Sequence, residues 1–418
     1  MKVYMEIYGC TSNKSDASIV EGLLKEKNHK LVESPDQADI IVVLTCTVIG
    51  TTERRMLSRL RKLKKIGKKI IVAGCMPAVQ PDLVKEVVPN ADLLPPQHVH
   101  HVVDLVEEKD TVFSRQDKSF FSRSYESLAA PISISEGCMF SCSYCITCMA
   151  RGKLKSSPLE KVKQNVESAV QQGCQEIQLT AQDTASYGLD KKNGEDLGDV
   201  IREVSSVEGD FKIRVGMMNP FTAMKHLDSI LDGFDNSKVY KFLHLPVQSG
   251  SDKLLDKMNR KYSVEDFGRI VEKFRDRYPD LCLSTDIIAG FPSETEEEFR
   301  QTMDLIKKIK PDVVNITRFS ARPNTSAKKM DGRIDTKVVK QRSKKLTDLS
   351  EKITQSVNQK YVGRKFNVLL LKEGKNDTVM GRSFNYKPIV VEKKMKIGSY
   401  VDVEIERATS SFLVGSLK

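Results

Sequence analysis

The chain has 418 residues, 39% of them hydrophobic, and a net charge of +11 with a pI near 9.0, which fits a polyanionic partner without demanding one. At roughly 100–200 residues per domain this length predicts two or three domains with real cores, and no stretch approaches the roughly 20 apolar residues that cross a bilayer. Residues 1–8 alternate like a strand instead of opening like an export signal, so a cytoplasmic protein with no membrane partner is expected, and its nine cysteines favour metal ligation or catalysis over a disulfide framework.

From the N-terminus, strand-like and helix-like runs alternate. The patterning predicts strands over residues 3–8, 39–44 and 69–73 and helices over 16–27 and 52–65, an open parallel α/β unit. Each predicted strand is followed by a cysteine: Cys10, Cys46 and Cys75, the first and last preceded by glycine. Parallel strands present their carboxyl ends on one edge, where such folds bind ligands, so three thiols distant in sequence are expected to converge there. Buried packing thiols are the alternative at any one position.

Residues 54–69 carry nine basic side chains and no acidic one, with Met56, Leu57, Leu60, Leu63 and Ile66 at helical spacing. The apolar set would face the core, and Arg55, Arg59, Lys62 and Lys65 would either track a phosphate backbone or form a solvated face. Residues 107–125 are polar and interrupt the periodicity, which places a linker over about 112–130. His98, His100 and His101 lack neighbouring ligands at metal spacing and read as surface residues.

The middle region opens with a predicted strand at 131–135 that runs into Cys138, Cys142 and Cys145, a C-x3-C-x2-C loop. Three thiols can ligate three irons of a 4Fe-4S cluster and leave the fourth open to a substrate. A structural zinc site with Cys148 as fourth ligand is the alternative. Further strands are expected at 175–180, 212–215, 241–245, 282–288 and 313–319, alternating with helices at 159–172, 197–204, 223–231, 264–278 and 295–309. Six β/α repeats suit a partial barrel with a lateral opening, whose chemistry sits at the C-terminal strand ends. Gln182, Asp183, Gln248, Ser249 and Arg322 lie at such ends, whereas Cys174 and Cys282 read as core thiols.

A helical pattern over 336–361 then gives way to short alternating segments at 366–371, 378–382, 388–391, 400–405 and 412–414. They predict a small antiparallel β-barrel of the kind that binds oligonucleotides. Residues 358–418 hold twelve Lys or Arg against six Asp or Glu.

Taken together, these motifs resemble the radical S-adenosylmethionine (SAM) methylthiotransferases over essentially the whole chain. The resemblance rests on the three N-terminal cysteine contexts, the Gly137-Cys138 loop with Ala150-Arg151-Gly152, and barrel stretches such as 179–188, 216–220, 286–292 and 319–323. It is strongest toward the archaeal and eukaryotic branch acting on N6-threonylcarbamoyladenosine at position 37 of tRNA. Leu44, Ser293 and Cys148 depart from the family pattern, and none is a cluster ligand.

The resemblance implies an α/β fold in three parts: residues 1–112 as the N-terminal methylthiotransferase domain, 130–357 as a partial (β/α)6 radical SAM barrel, and 358–418 as a TRAM domain. Cys138, Cys142 and Cys145 would hold the radical SAM cluster, and Cys10, Cys46 and Cys75 an auxiliary 4Fe-4S cluster carrying the sulfur. Two SAM molecules would supply the methyl group and the radical that activates carbon 2 of the adenine. Tyr144 would pack against SAM, and Gln182, Asp183, Gln248, Ser249 and Arg322 are candidates for the SAM or substrate shell. Implied partners are a tRNA anticodon stem-loop, an electron-donor protein and a sulfur donor. The same chemistry on isopentenyladenosine or on a ribosomal-protein aspartate is the alternative within the family, and a metal-stabilised, non-catalytic RNA-binding protein the alternative outside it.

Overall fold

The computed structural model describes residues 1–417. Its N-terminal part is a fully parallel sheet of β1 (Lys2–Ile7), β2 (Lys30–Val32), β3 (Ile40–Thr45), β4 (Lys69–Gly74) and β5 (Asp92–Leu94), in the order β2-β1-β3-β4-β5. All six residues of β3 are buried, because the central strand of a parallel sheet is covered on both faces. Ile40, Val42 and Leu44 pack with α1 (Thr11–Glu26), and Ile41 and Val43 pack with α2 (Gly50–Lys64). Helix α2 buries Met56, Leu57, Leu60 and Leu63 and turns its basic side chains outward, except Arg59, which pairs with Glu6 of β1. Short helices α3 (Cys75–Val79), α4 (Pro81–Val87) and α5 (Val102–Val106) complete this layer. The three-residue strands β2 and β5 are additions to the sequence reading.

Residues expected to form a loose linker instead make a packed strap. Lys118 and Arg123 are buried, Arg123 donates to the Ser15 carbonyl and hydroxyl at 3.3 and 3.1 Å, and the Ser124 amide donates to the Ser18 carbonyl at 2.9 Å. A hydrophilic composition concealed this because the strap is held by charges and hydrogen bonds. The histidines are half-buried by aromatic stacking: His98 stacks on Phe113 and His100 on Phe121, with centroids 5.0 and 4.9 Å apart. Burial lowers the His100 pKa to about 4.

The central part begins with β6 (Ala129–Ser133) and a ribbon of β7 (Ser135–Glu136) and β8 (Lys155–Ser156) that frames the cysteine loop and α6 (Thr147–Arg151). Strands β9 (Glu176–Thr180), β10 (Lys212–Val215), β11 (Phe242–His244), β12 (Cys282–Ala289) and β13 (Val313–Arg318) follow. They form two parallel three-stranded runs, β10-β9-β6 and β11-β12-β13, joined by a parallel bridge between Ile213 and Val239. Six strands with two free edges make an open barrel. Helices α7 (Leu159–Gln171), α8 (Leu197–Ser205), α9 (Pro220–Lys225), α10 (Leu227–Phe234), α11 (Asp252–Lys257), α12 (Val264–Arg277) and α13 (Glu296–Ile309) cover its outside. The helix expected over 223–231 is two helices broken at His226.

Helix α14 (Thr336–Gln359) leads to β14 (Lys365–Glu373), β15 (Val379–Arg382), β16 (Pro388–Val391), β17 (Tyr400–Ala408) and β18 (Leu413–Leu417), a closed barrel in the order β14-β15-β16-β18-β17. Closure leaves no sheet edge exposed.

Candidate active site

Cys10, Cys46 and Cys75 lie at the carboxyl edge of the N-terminal sheet, after β1, β3 and β4. Backbone closeness brings them together. A Cβ on Gly9 (φ +103°) would stand 2.9 Å from Cys46 Cβ, and one on Gly74 (φ +88°) 2.6 Å from the Thr45 carbonyl oxygen, so only glycine fits before Cys10 and before Cys75. Cys10 is the N-cap of α1 and makes no side-chain capping bond. One helical turn on, Asn13 donates to the Tyr8 and Thr45 carbonyls at 2.7 and 2.9 Å and places its own oxygen 3.9 Å from the Cys75 sulfur. A single buried amide thus fixes all three cysteine loops. Leu44, where the family pattern has asparagine, is fully buried in the apolar core.

Cys138, Cys142 and Cys145 follow the β6–β7 edge. The Phe140 amide and the Arg260 guanidinium each donate to sulfur, at 3.4 Å from Cys138 and Cys142 respectively. Arg260 also donates to the Tyr262 hydroxyl at 3.0 Å. The Cys148 thiol points to the Cys145 carbonyl at 3.1 Å. Among the described residues, no group of three or more Cys, His, Asp or Glu side chains is arranged to hold a single metal ion.

Both trios fit iron–sulfur ligation by their donor chemistry. All six thiols are free, and each trio is close enough that Cys10 and Cys46 act electrostatically on Cys75, and Cys145 and Cys142 on Cys138. Burial pushes the Cys75 thiol up to about 11 and that of Cys138 up to about 12. Buried thiols of this kind stay protonated and inert until a metal takes their protons. A four-iron cube presents its irons at separate corners, so it spaces its ligands more widely than the roughly 4 Å between sulfurs on one zinc.

The two loops meet along one seam. Arg151, at the end of α6, is buried and donates to Asn13 and Asp16 of α1 at 2.8 Å each and to Glu136 at 2.9 Å. Lys118 of the strap closes the circuit with Asp16 at 2.6 Å and Glu136 at 3.0 Å. Arg151 and Lys118 hold the Asp16 carboxyl below its usual range against the cost of burial. Gln182 bridges the same seam, accepting from the Gly137 amide at 2.6 Å and donating to the Ser12 hydroxyl at 3.2 Å.

At the C-terminal strand ends, a cavity of about 360 Å³ is lined by Tyr144 and Cys145, by Gln248, His244, Asp286 and Asn315, and by Val48 and Ile49, two and three residues after Cys46. His244 and Asn315 contact the Asp286 carboxylate at 3.2 and 2.8 Å. Tyr144 sits edge-on to Phe291, with centroids 6.4 Å apart. Tyr144, which the resemblance set against SAM, lines this cavity, and of the residues picked from strand ends Gln248 does so as well. Ser249 is buried against Thr302 at 3.3 Å, and Asp183 accepts from Thr222 and the Asn219 amide at 2.7 and 2.9 Å. Arg322 crosses the seam to Glu53, and to Thr47 at 2.7 Å. These three do not line the cavity.

Sequence reasoning missed Asn13, Asp16, Arg260 and the His244–Asp286–Asn315 group. Asn13 and Asp16 were findable as the positions one and two turns past Cys10 on α1. Arg260 carried no local signal.

Comparison with known proteins identifies three segments. Residues 132–306 match the Radical SAM superfamily, residues 2–95 the Uncharacterized protein family UPF0004, and residues 359–418 the TRAM domain. The chain is 43% identical to the "Probable threonylcarbamoyladenosine tRNA methylthiotransferase" of Pyrococcus horikoshii, over 100% of this chain and 99% of that one. It is 33% identical to the "Threonylcarbamoyladenosine tRNA methylthiotransferase" of Drosophila melanogaster, over 100% of this chain and 77% of the relative. Among solved structures, the radical SAM methyltransferase TsrM of Kitasatospora setae, with cobalamin and a [4Fe-4S] cluster bound, superposes with a TM-score of 0.57 at 13% identity. That match covers 76% of this chain and 72% of TsrM, and it shows a shared fold. The chain belongs to the threonylcarbamoyladenosine tRNA methylthiotransferase family of radical SAM enzymes.

Proposed function

We propose that the protein methylthiolates carbon 2 of N6-threonylcarbamoyladenosine at position 37 of tRNA, using two SAM molecules and two 4Fe-4S clusters. The observation that carries the proposal is the seam cavity, whose wall includes Cys145 and Tyr144 from one cysteine loop and Val48 and Ile49 from the other. Cys138, Cys142 and Cys145 hold the radical SAM cluster in this reading, and Cys10, Cys46 and Cys75 the auxiliary one. When bound, the clusters and SAM supply the one-electron cleavage and the sulfur.

The chain's own residues supply placement. Asn13 and Arg151 hold the three N-terminal cysteine loops against α6, so the two ligand sets keep a fixed separation. Arg260 and the Phe140 amide favour thiolates at Cys142 and Cys138. Tyr144 and Gln248 offer an aromatic face and an amide to SAM, and the apolar wall of Val48, Ile49 and Ile287 excludes water from the reacting atoms.

Residues 1–112, 130–357 and 358–418 act as the three functional parts. The last, with the outer face of α2, holds the anticodon stem-loop by its phosphates, leaving the unstacked base free to enter the seam. An electron-donor protein and a sulfur donor complete the system. The proposal is tested by anaerobic reconstitution. About eight irons are expected in the intact chain, and about four when Cys10, Cys46 and Cys75 are all replaced by Ala. Four irons in the intact chain, or a colourless zinc protein, would refute it.

A further inference from the structure

Two hollows meet at the seam. The cavity described above shares Ile49, Thr317, Arg318, Phe319 and Ser320 with a groove of about 500 Å³. The cavity is of a size for one small ligand, and the function proposed above gives it to SAM. A tRNA nucleotide approaching the same reacting atoms is then left the groove as its way in.

The groove has an unusual electrostatic character. Its lining carries Arg54, Arg318 and Arg333 and no aspartate or glutamate, with apolar Pro292, Ile316 and Val339 set among the hydroxyls of Thr51, Thr317, Ser320 and Thr336. Among the described residues, Arg54 and Arg318 have no ion-pair partner, and the side chain of Arg333 donates only to the Lys328 carbonyl, at 2.9 Å. The three arginines come from separate segments: the first turns of α2, the last residue of β13, and the loop before α14. They are therefore not the solvated face of one helix. Three like charges lining one groove with no carboxylate among them repel one another until an anion joins them.

Threonylcarbamoyladenosine supplies such an anion. Linking threonine through its amino group to a carbamoyl on N6 leaves its carboxylate free, and this charge separates the nucleoside from one with an apolar N6 substituent. A planar guanidinium takes a carboxylate through two parallel hydrogen bonds, which gives direction as well as strength. We propose that Arg318, the arginine lining both hollows, binds this carboxylate, with Arg54 and Arg333 strengthening the field, and that this contact selects the substrate. The inference rests on the proposed function. A tRNA backbone phosphate is the other oxyanion that these arginines could meet, and the experiment separates the two.

Full-length reconstituted protein is titrated with three anticodon stem-loops that differ only at N6 of the target adenosine: the threonylcarbamoyl acid, its carboxylate methyl ester, and the unmodified base. The intact protein is expected to bind the acid at least about tenfold more tightly than the ester. Arg318→Gln should bring acid and ester within about twofold of each other while leaving the ester and unmodified affinities unchanged, and Arg318→Lys should retain part of the preference. Equal weakening of all three RNAs by Arg318→Gln, which is the signature of a phosphate contact, would overturn the proposal. So would an intact protein that does not distinguish acid from ester. Selective binding without methylthiolation of the acid would fault the proposed function and leave the role of Arg318 standing.

Discussion

Replacing Arg151 by Met tests whether the seam is held by its buried charge circuit. Arg151 makes 2.8 and 2.9 Å bonds to Asp16 and Glu136 and a 2.8 Å bond to Asn13, all from a position 2% exposed. Methionine keeps much of the stem volume and removes the charge, so Asp16, also 2% exposed, is left with Lys118 alone. Breaking one partner of a buried ion group costs about 3–5 kcal/mol. Removing Asp16 as well, by Asp16→Leu, should restore most of that loss, because Lys118 and Glu136 remain paired at 3.0 Å and an apolar pair replaces a charged one. The assay is denaturant unfolding of the two single variants and the double variant, followed by amide hydrogen exchange in α1. A loss below about 1 kcal/mol in Arg151→Met, or a double variant as unstable as the sum of the singles, would show that the seam is not held by this charge circuit.

Other consequences follow from particular groups. Arg322→Met should destabilise the chain while leaving SAM affinity within about twofold, whereas Gln248→Ala should weaken SAM binding with little change in stability, as measured by unfolding and equilibrium dialysis. Glu21 has its pKa raised from 4.5 to about 7, first by burial and then by Glu126. Its folded state holds the proton more tightly than the unfolded chain, so its contribution to stability is full below about pH 4.5 and falls as pH rises toward about 7. Glu21→Gln should remove that part of the slope in unfolding measured across the range. On α2, joint reversal of Arg55 and Lys62 to Glu should weaken tRNA binding and reduce its salt slope by about 1.5–2, read by titration at several salt concentrations. Arg59 does not belong with them, because it is paired with the mostly buried Glu6.

Much of the site was readable because the chemistry is tied to strand ends. A cysteine after each of β1, β3 and β4, and a loop of three more after β6, fix two sets of three thiols once the sheets are parallel. The six barrel strands were visible from apolar runs and Gly/Pro punctuation. What escaped was held by polar contacts across long sequence separations. Arg322 looked like a ligand-shell residue from its strand end, yet the buried partners on α2 and its preceding loop turn it into a tie across the seam. The strap around Lys118 and Arg123 looked like a linker because hydrophilic composition does not reveal that Lys118 pairs with Asp16 and Glu136 and that Arg123 hydrogen-bonds to Ser15, partners lying far away in sequence or in another element. The histidine cluster read as surface because its stacking partners, Phe113 and Phe121, lie in that same strap.

In the proposed function these six cysteines serve one reaction on one tRNA base. Nucleoside mass spectrometry of tRNA from a strain lacking the gene tests it most directly, before and after complementation with the intact chain and with the Cys10, Cys46 and Cys75 triple alanine variant. The 2-methylthio form of threonylcarbamoyladenosine should vanish in the deletion strain, return with the intact chain and stay absent with the variant. Persistence of the methylthio group without the gene, or its return with the variant, would contradict the proposed function.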